Sequence, residues 1–146
     1  VTDTGITATR EGLTQEQKQT LMEALSDHFV EGARFHHGDC IGGDYEAGLI
    51  AAALRYWIVL HPPKNNKARA FSVGDETLPP KEYHHRNRDI VRESGLLLVC
   101  PKEDHIVPKG TRGSGTWSTY WRAVDSHKPT LIIWPDGEMK YSENEK

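Results

Sequence analysis

Lys109-Gly110-Thr111-Arg112-Gly113-Ser114-Gly115-Thr116-Trp117-Ser118-Thr119-Tyr120-Trp121 follows a strongly apolar run, Gly95–Cys100, and leads into a segment of helical spacing that ends near His127. Strand, glycine-rich turn and helix in that order make a phosphate site. Glycine lets the backbone approach a ligand closely, and the free N–H groups of a helix start attract anions. Gly110, Gly113 and Gly115 stand beside the hydroxyls of Thr111, Ser114, Thr116 and Ser118. A flexible loop with a good helix cap has the same composition, so the other loops on this edge decide between the two readings.

Working outward, the chain alternates short apolar strands with amphipathic helices. Val1–Ile6 is a short polar strand, followed by the loop Thr7–Gly12. Thr14 and Gln17 form a capping box, each side chain satisfying an orphan amide at the helix start. That helix runs to about Val30, with Leu21, Leu25, His28 and Phe29 on one face and Gly32 as its C-cap. Arg34–His37 is a second strand. The Gly/Asp loop Gly38–Asp44 then precedes a helix with Ala47, Ile50, Ala51 and Leu54 on one face. Tyr56–Leu60 is a third strand, closed by His61-Pro62-Pro63. Lys64–Leu78 lacks a period and reads as a loop that covers a binding site. Thr77 with Pro79 and Pro80 opens the next helix, which carries Tyr83, Arg86, Asn87, Ile90 and Val91. Leu96–Cys100 is the most apolar strand and is expected at the centre. Pro101–Lys109 is a second loop without periodicity, and Thr130–Trp134 is a last strand before the turn Pro135-Asp136-Gly137. Ser142–Lys146 reads as a frayed polar tail.

Strands alternating with helices predict an α/β fold: a Rossmann-like, doubly wound parallel sheet of about five strands with helices on both faces, in one domain over residues 1–146. Ligands of such sheets bind beyond the carboxyl ends of the strands, where the strand order reverses. In the order 3-2-1-4-5 the Thr7–Gly12 loop faces the Gly113–Thr119 loop across that crevice. Two loops distant in sequence thus converge where the fold rule puts a ligand.

Composition narrows the partners. A chain of 146 residues with 36% hydrophobic and 27% charged residues is globular rather than disordered. A net charge of −3 argues against a dedicated nucleic-acid binder, while leaving room for a nucleotide held by a local cluster of donors. No apolar run approaches a membrane span, no secretory signal pattern stands out, and a cytoplasmic location is expected. Cys40 and Cys100 read as free thiols in preference to a disulfide. The histidines, including His36–His37 and His84–His85, lack a zinc pattern, so no metal is expected.

Gly-Ile-Thr-Ala-Thr-Arg (residues 5–10), His-Gly-Asp-Cys-Ile-Gly-Gly-Asp (37–44), His-Pro-Pro (61–63), Arg-Asn-Arg-Asp-Ile-Val (86–91) and Gly-Ser-Gly-Thr-Trp-Ser-Thr (113–119) occur in that order. The ordered set resembles the SLOG superfamily, which includes the LOG phosphoribohydrolases, DNA-processing protein A and the molybdenum-cofactor carrier proteins. The resemblance runs from about Thr4 to Gly137. It implies a Rossmann-like fold, a nucleotide or nucleotide-derived ligand with no required cofactor, and a homo-oligomer of two or more copies. The LOG loop Pro-Gly-Gly-x-Gly-Thr-x-x-Glu aligns its Gly-Thr with Gly115-Thr116. Thr119 then falls where the catalytic glutamate stands, and Thr111-Arg112-Gly113 replaces Pro-Gly-Gly. Threonine offers no carboxylate for general base work at neutral pH, so LOG-type hydrolysis is not implied, whereas Gly113, Ser114, Gly115, Thr116 and Thr119 still offer phosphate donors. The Arg-Lys dipeptide of those enzymes corresponds to Arg86-Asn87-Arg88. Arg86 and Arg88 do not share a helix face, so one is expected at ligand and the other at a structural pair.

The other candidates come from the same edge. Thr7, Thr9 and Arg10 belong to the first crevice loop, where Arg10 either meets phosphate or pairs with Glu11 or Glu16. Gly38, Asp39, Gly42 and Gly43 belong to the second loop. Asp39 is placed to hold a ribose hydroxyl, act as an acid/base group, or cap. Asp44 is either a first-turn carboxylate or a substitute catalytic acid. His61 closes its strand as a structural group or a polar contact. Trp117 and Trp121 serve core or subunit packing, or stack on a base. Three functions follow: a non-catalytic binder of a nucleoside phosphate, ADP-ribose or NAD derivative or phosphorylated cofactor; an N-glycosidic hydrolase using Asp39 or Asp44; or an oligomeric interaction module presenting Trp117, Tyr120 and Trp121.

Overall fold

β1 (Asp3–Ala8) takes the middle of the sheet in the computed structural model, which describes residues 3–142. After it come α1 (Gln15–His28), β2 (Arg34–His37), α2 (Gly43–Ala53), β3 (Trp57–Leu60), β4 (Glu76–Thr77), α3 (Tyr83–Glu93), β5 (Leu96–Cys100), α4 (Gly115–Asp125), β6 (Thr130–Ile133) and β7 (Met139–Tyr141). The strand order is β4-β3-β2-β1-β5-β6-β7, parallel throughout except for the antiparallel β6–β7 pair. The expected order 3-2-1-4-5 is present as β3-β2-β1-β5-β6, with one short strand added at each edge.

The apolar run of β5 is continuous because both sides are covered. Leu96, Leu98 and Cys100 face a core cluster with Leu21, Leu25, Ala47 and Ala51 from α1 and α2. Leu97 and Val99 face a second cluster with Ile90, Val91, Trp117, Tyr120 and Ala123 from α3 and α4. β1, not β5, is the central strand. Its polar look has a packing cause: a Cβ at Gly5 would collide with the Ser94 hydroxyl at the end of α3, so a small residue lets that helix lie close. Val1 and Thr2, the start of the expected strand, lie outside the described residues.

The Thr14–Gln17 capping box is present, each backbone N–H donating to the other side chain at 3.0 Å. Gln17 is also buried, and its amide donates to the carbonyls of Pro101 (2.8 Å) and Ile133 (3.0 Å). One side chain thereby starts α1 and ties it to the exits of β5 and β6.

Several boundaries differ from expectation. α1 ends at His28 with Phe29 as its C-cap; His28 is exposed, and Gly32 forms the later turn into β2. Thr77 and the prolines do not open α3, which starts at Tyr83 after Glu82. Thr77 lies in β4 instead, and the Leu78 N–H donates to Leu60 O, because the edge of β3 holds this stretch extended. The loop 64–78 therefore runs along the β3 edge and contributes nothing to the main cavity. After the turn at residues 135–137 the chain forms β7, a strand missing from the sequence reading. Ser142 is anchored by exchanged bonds with Thr130, and residues 143–146 lie outside the described residues. No helix among the described residues is long and apolar enough to cross a membrane.

Candidate functional site

β1 and β5 are neighbours, and the chain leaves them toward opposite faces, to α1 and to α4. A cavity of about 780 Å³ opens there. Thr7, Thr9, Arg10 and Glu11 line it from the β1 loop, and Gly38, Cys40 and Asp44 from the β2 loop and the first turn of α2. Tyr83, Arg86 and Asn87 come from α3, Lys102 and Glu103 from the loop after β5, and Thr111–Thr116 with Ser118 from the glycine loop and α4. The two loops expected to converge do so.

Arg86 is the buried cation of the site. Its Nη1 donates to Gly38 O (2.6 Å) and His61 O (3.2 Å), and its Nε donates to Asn87 Oδ1 (2.7 Å). It therefore fastens the ends of β2 and β3 to α3 while presenting its charge to the cavity. A Cβ on Gly38 would lie 2.5 Å from Arg86 Nη1 and 2.8 Å from Asp44 Oδ2, so the cation and the carboxylate close around a residue without a side chain. Asp44 Oδ2 accepts from the N–H groups of Gly38 (3.1 Å) and Cys40 (3.4 Å). Burial pushes the Asp44 carboxyl up to about 6, against the lowering pull of Arg86, the two N–H donors and Arg10. Burial, with Asp44 adding to it, also raises the Cys40 thiol, so this cysteine is a poor nucleophile.

The opposite end is rich in donors. Ser114 caps α4, its hydroxyl accepting from Trp117 N at 3.2 Å, and Gly115 and Thr116 open the helix toward the cavity. Gly113 adopts φ +90°, which turns the loop into that start. Arg10 is exposed, with its guanidinium 4.9 Å from the Tyr83 ring centroid. Glu11 pairs with Lys102 at 2.9 Å, leaving Arg10 clear of the ion pair considered for it. Thr9 uses its hydroxyl within the turn, accepting from Glu11 N at 3.2 Å.

Five sequence candidates lie outside the cavity lining. Asp39 is fully buried with φ +53°, and its oxygens accept from Arg69 Nε (2.8 Å) and Ser72 N (2.9 Å), so it clasps the 64–78 loop. Gly42 and Gly43 serve loop packing: a side chain at either would strike the β1 loop, at the Arg10 carbonyl and at Ala8 respectively. Arg88 is exposed on the far face of α3. Thr119 is buried, its hydroxyl bonded to Gly115 O at 2.8 Å, and offers the cavity no donor.

Trp117 and Tyr120 are core residues and Trp121 is half-buried, its Nε1–H donating to Val107 O at 2.8 Å, so they form no exposed aromatic surface. His61 is buried and bonded to His36 at 2.9 Å, which in turn meets Asp3 at 2.9 Å. Burial and the neighbouring His36 drive His61 down to about 3, and burial drives His37 down to about 4, so both stay neutral. Cys40 and Cys100 are free, and among the described residues no group of His, Cys, Asp or Glu is arranged to hold a metal ion.

Tyr83, Asn87, Lys102, Glu103 and Arg112 line the site without having been singled out. Tyr83 stands three residues before Arg86, on the same helix face, and Lys102 stands two residues beyond β5; both spacings were readable. Glu103 accepts from Trp117 Nε1 at 2.9 Å, a pairing no spacing rule reveals.

No protein-family model matches this sequence, and no curated protein matches it. Solved structures do. The molybdenum cofactor binding protein from the phototrophic bacterium Rippkaea orientalis superposes over 90% of this chain and 76% of its own, with a TM-score of 0.67 and 18% identity. DNA processing protein A from Helicobacter pylori, described for its single-stranded DNA binding mode, superposes over 89% of this chain with a TM-score of 0.58 and 17% identity. This chain spans 64% of that protein's length. The chain shares a Rossmann-like fold with these two proteins, the fold class that its ordered loop motifs implied.

Proposed function

We propose that this protein binds a nucleotide-derived small molecule at the carboxyl edge of its sheet, as a sensor, carrier or sequestering protein. A nucleoside phosphate, an ADP-ribose or NAD derivative and a phosphorylated cofactor are the ligand classes that suit it. The observation that carries this reading is the cavity of about 780 Å³ at the switch point, within the usual range for small-molecule sites. Helix α4 begins at that cavity with Gly115 and Thr116, and Arg10 stands in the facing loop. The ligand is the only small molecule required, and the protein works in the cytoplasm as a homo-oligomer. Single-stranded DNA, the ligand described for the Helicobacter protein, suits this chain less well: Glu11, Asp44 and Glu103 line the cavity, and the net charge is −3. Calorimetric titration with a panel of these nucleotides, together with mass spectrometry of any co-purifying ligand, tests the reading. Binding without turnover is expected; no heat from any member and no co-purified ligand would sink it.

One observation favours a second reading, an N-glycosidic hydrolase related to the LOG enzymes. Asp44 is a buried carboxyl raised to about 6, which suits a general acid. Release of free base from a nucleotide, followed by chromatography and lost in Asp44→Asn, would favour it over simple binding.

A further inference from the structure

We propose, building on that binding reading, that Asp44 is the specificity-determining acceptor of the site: its Oδ1 takes a hydrogen bond from an O–H or N–H group at the end of the ligand remote from the anionic group. The sequence pointed to Asp39 for this role, but both Asp39 oxygens are already engaged by Arg69 and Ser72. Asp44 is differently placed. It is only 7% exposed, it lines the cavity, its Oδ2 is held by the N–H groups of Gly38 and Cys40, and Oδ1 has no hydrogen-bond partner among the described residues. Arg86 does not close that valence: Nη1 donates to Gly38 O and His61 O, Nε to Asn87, and Nη2 reaches Cys40 Sγ at 3.8 Å. A ligand donor reaching that oxygen would complete the hydrogen bonding of a largely desolvated carboxylate.

The two ends of the cavity therefore ask for different chemistry. Asp44 repels an anion and attracts a donor, whereas the Gly113–Thr116 turn, at the start of α4, attracts an anion. Asp44 follows β2 and the glycine turn follows β5, strands that lie on opposite sides of β1, so the two groups line the cavity from different elements. The ligand this geometry selects carries an anionic group at one end and a hydroxyl or amino group at the other, as a sugar phosphate or nucleotide does.

Asp44→Asn is a pointed probe. The N–H groups of Gly38 and Cys40 fix the amide oxygen at the Oδ2 position, which puts the NH₂ where Oδ1 was. An acceptor becomes a donor without a change of shape. The experiment is calorimetric titration of the wild type and this variant with two ligand pairs: ribose phosphate against deoxyribose phosphate, and adenosine monophosphate against its analogue lacking the amino group. In at least one pair the wild type should prefer the donor-bearing member by about 10- to 100-fold, the worth of a hydrogen bond to a charged group, and the variant should lose that preference. The first pair identifies a sugar hydroxyl as the source and the second a base amino group. A wild type with no preference in either pair overturns the assignment of Asp44 but leaves the binding site standing, even if the variant fails to fold. So does a variant that keeps the wild-type preference. Failure of all four probes and inorganic phosphate to bind the wild type overturns the binding reading itself, and the assignment with it.

Discussion

Replacing Asp44 by Asn should stabilise the fold at neutral pH and do nothing for it in acid. The carboxyl is raised from 3.8 to about 6 by burial, so between those values the folded chain binds a proton that the unfolded chain has released. Stability from this group is therefore full below about pH 4 and is lost as pH rises through about 6. A shift of about 2 units corresponds to roughly 3 kcal/mol at pH 7, a cost carried by the ionised wild type and absent from the amide. For a domain of this length the difference is a rise in Tm of about 10 °C. Urea or thermal unfolding of both proteins from pH 4 to pH 8 measures it. Comparison with the variant is essential, because His37 and His61 act in the opposite direction. Their folded values of about 4 and about 3 mean that wild-type stability is lost as pH falls below about 6.5, and this contribution is common to both proteins. The gap between variant and wild type should be small at pH 4 and widen to its full size by pH 7. A gap that is independent of pH, or one that opens on the acid side, would refute the account of a desolvated carboxylate held at the cavity floor.

Gln17→Ala should cost about 2–3 kcal/mol by urea denaturation, since it breaks the reciprocal cap and strips donors from the carbonyls of Pro101 and Ile133. Arg86→Leu should cost about 3 kcal/mol or more, because the carbonyls of Gly38 and His61 lose their buried donor, and a loss below about 1 kcal/mol would show that the guanidinium is not a structural tie. Arg10→Ala should weaken nucleotide binding in calorimetry roughly 5-fold or more, whereas Arg88→Ala, on the exposed face of α3, should leave both affinity and stability within about 0.5 kcal/mol. Equal effects of the two arginine changes would contradict the placement of the site.

Much of the frame was readable because it rests on local signals. The Thr14–Gln17 box and the Arg34–His37 strand follow from spacing and alternation, and the five-strand order considered from the sequence comes from the doubly wound fold class. β4 and β7 escaped because strands of two and three exposed residues have no period to detect; pairing with an existing edge creates them. The same limit applied within the site. Gly38 and the glycine loop were placed by the fold rule and Arg86 by the family resemblance, but Asp39 and Asp44 look alike in sequence, one on each side of Cys40-Ile41-Gly42-Gly43. Arg69, thirty residues on, decides between them by taking the Asp39 carboxylate out of the cavity. Thr119, named as a donor from the sequence, offers the cavity none, because its hydroxyl turns back to its own helix.

The two border strands also govern how copies of this chain can meet. β4 has two residues and leads within two positions to Pro79-Pro80, while β7 has three exposed residues with Lys140 at its middle. An edge so short, blocked by proline on one side and charged on the other, cannot template another chain's strand. Continuation of the sheet from either edge into a neighbouring copy is thereby disfavoured. An alteration that lengthened β4 by replacing Pro79 and Pro80 with valine would remove that guard and should appear as a loss of soluble protein long before any change at the cavity.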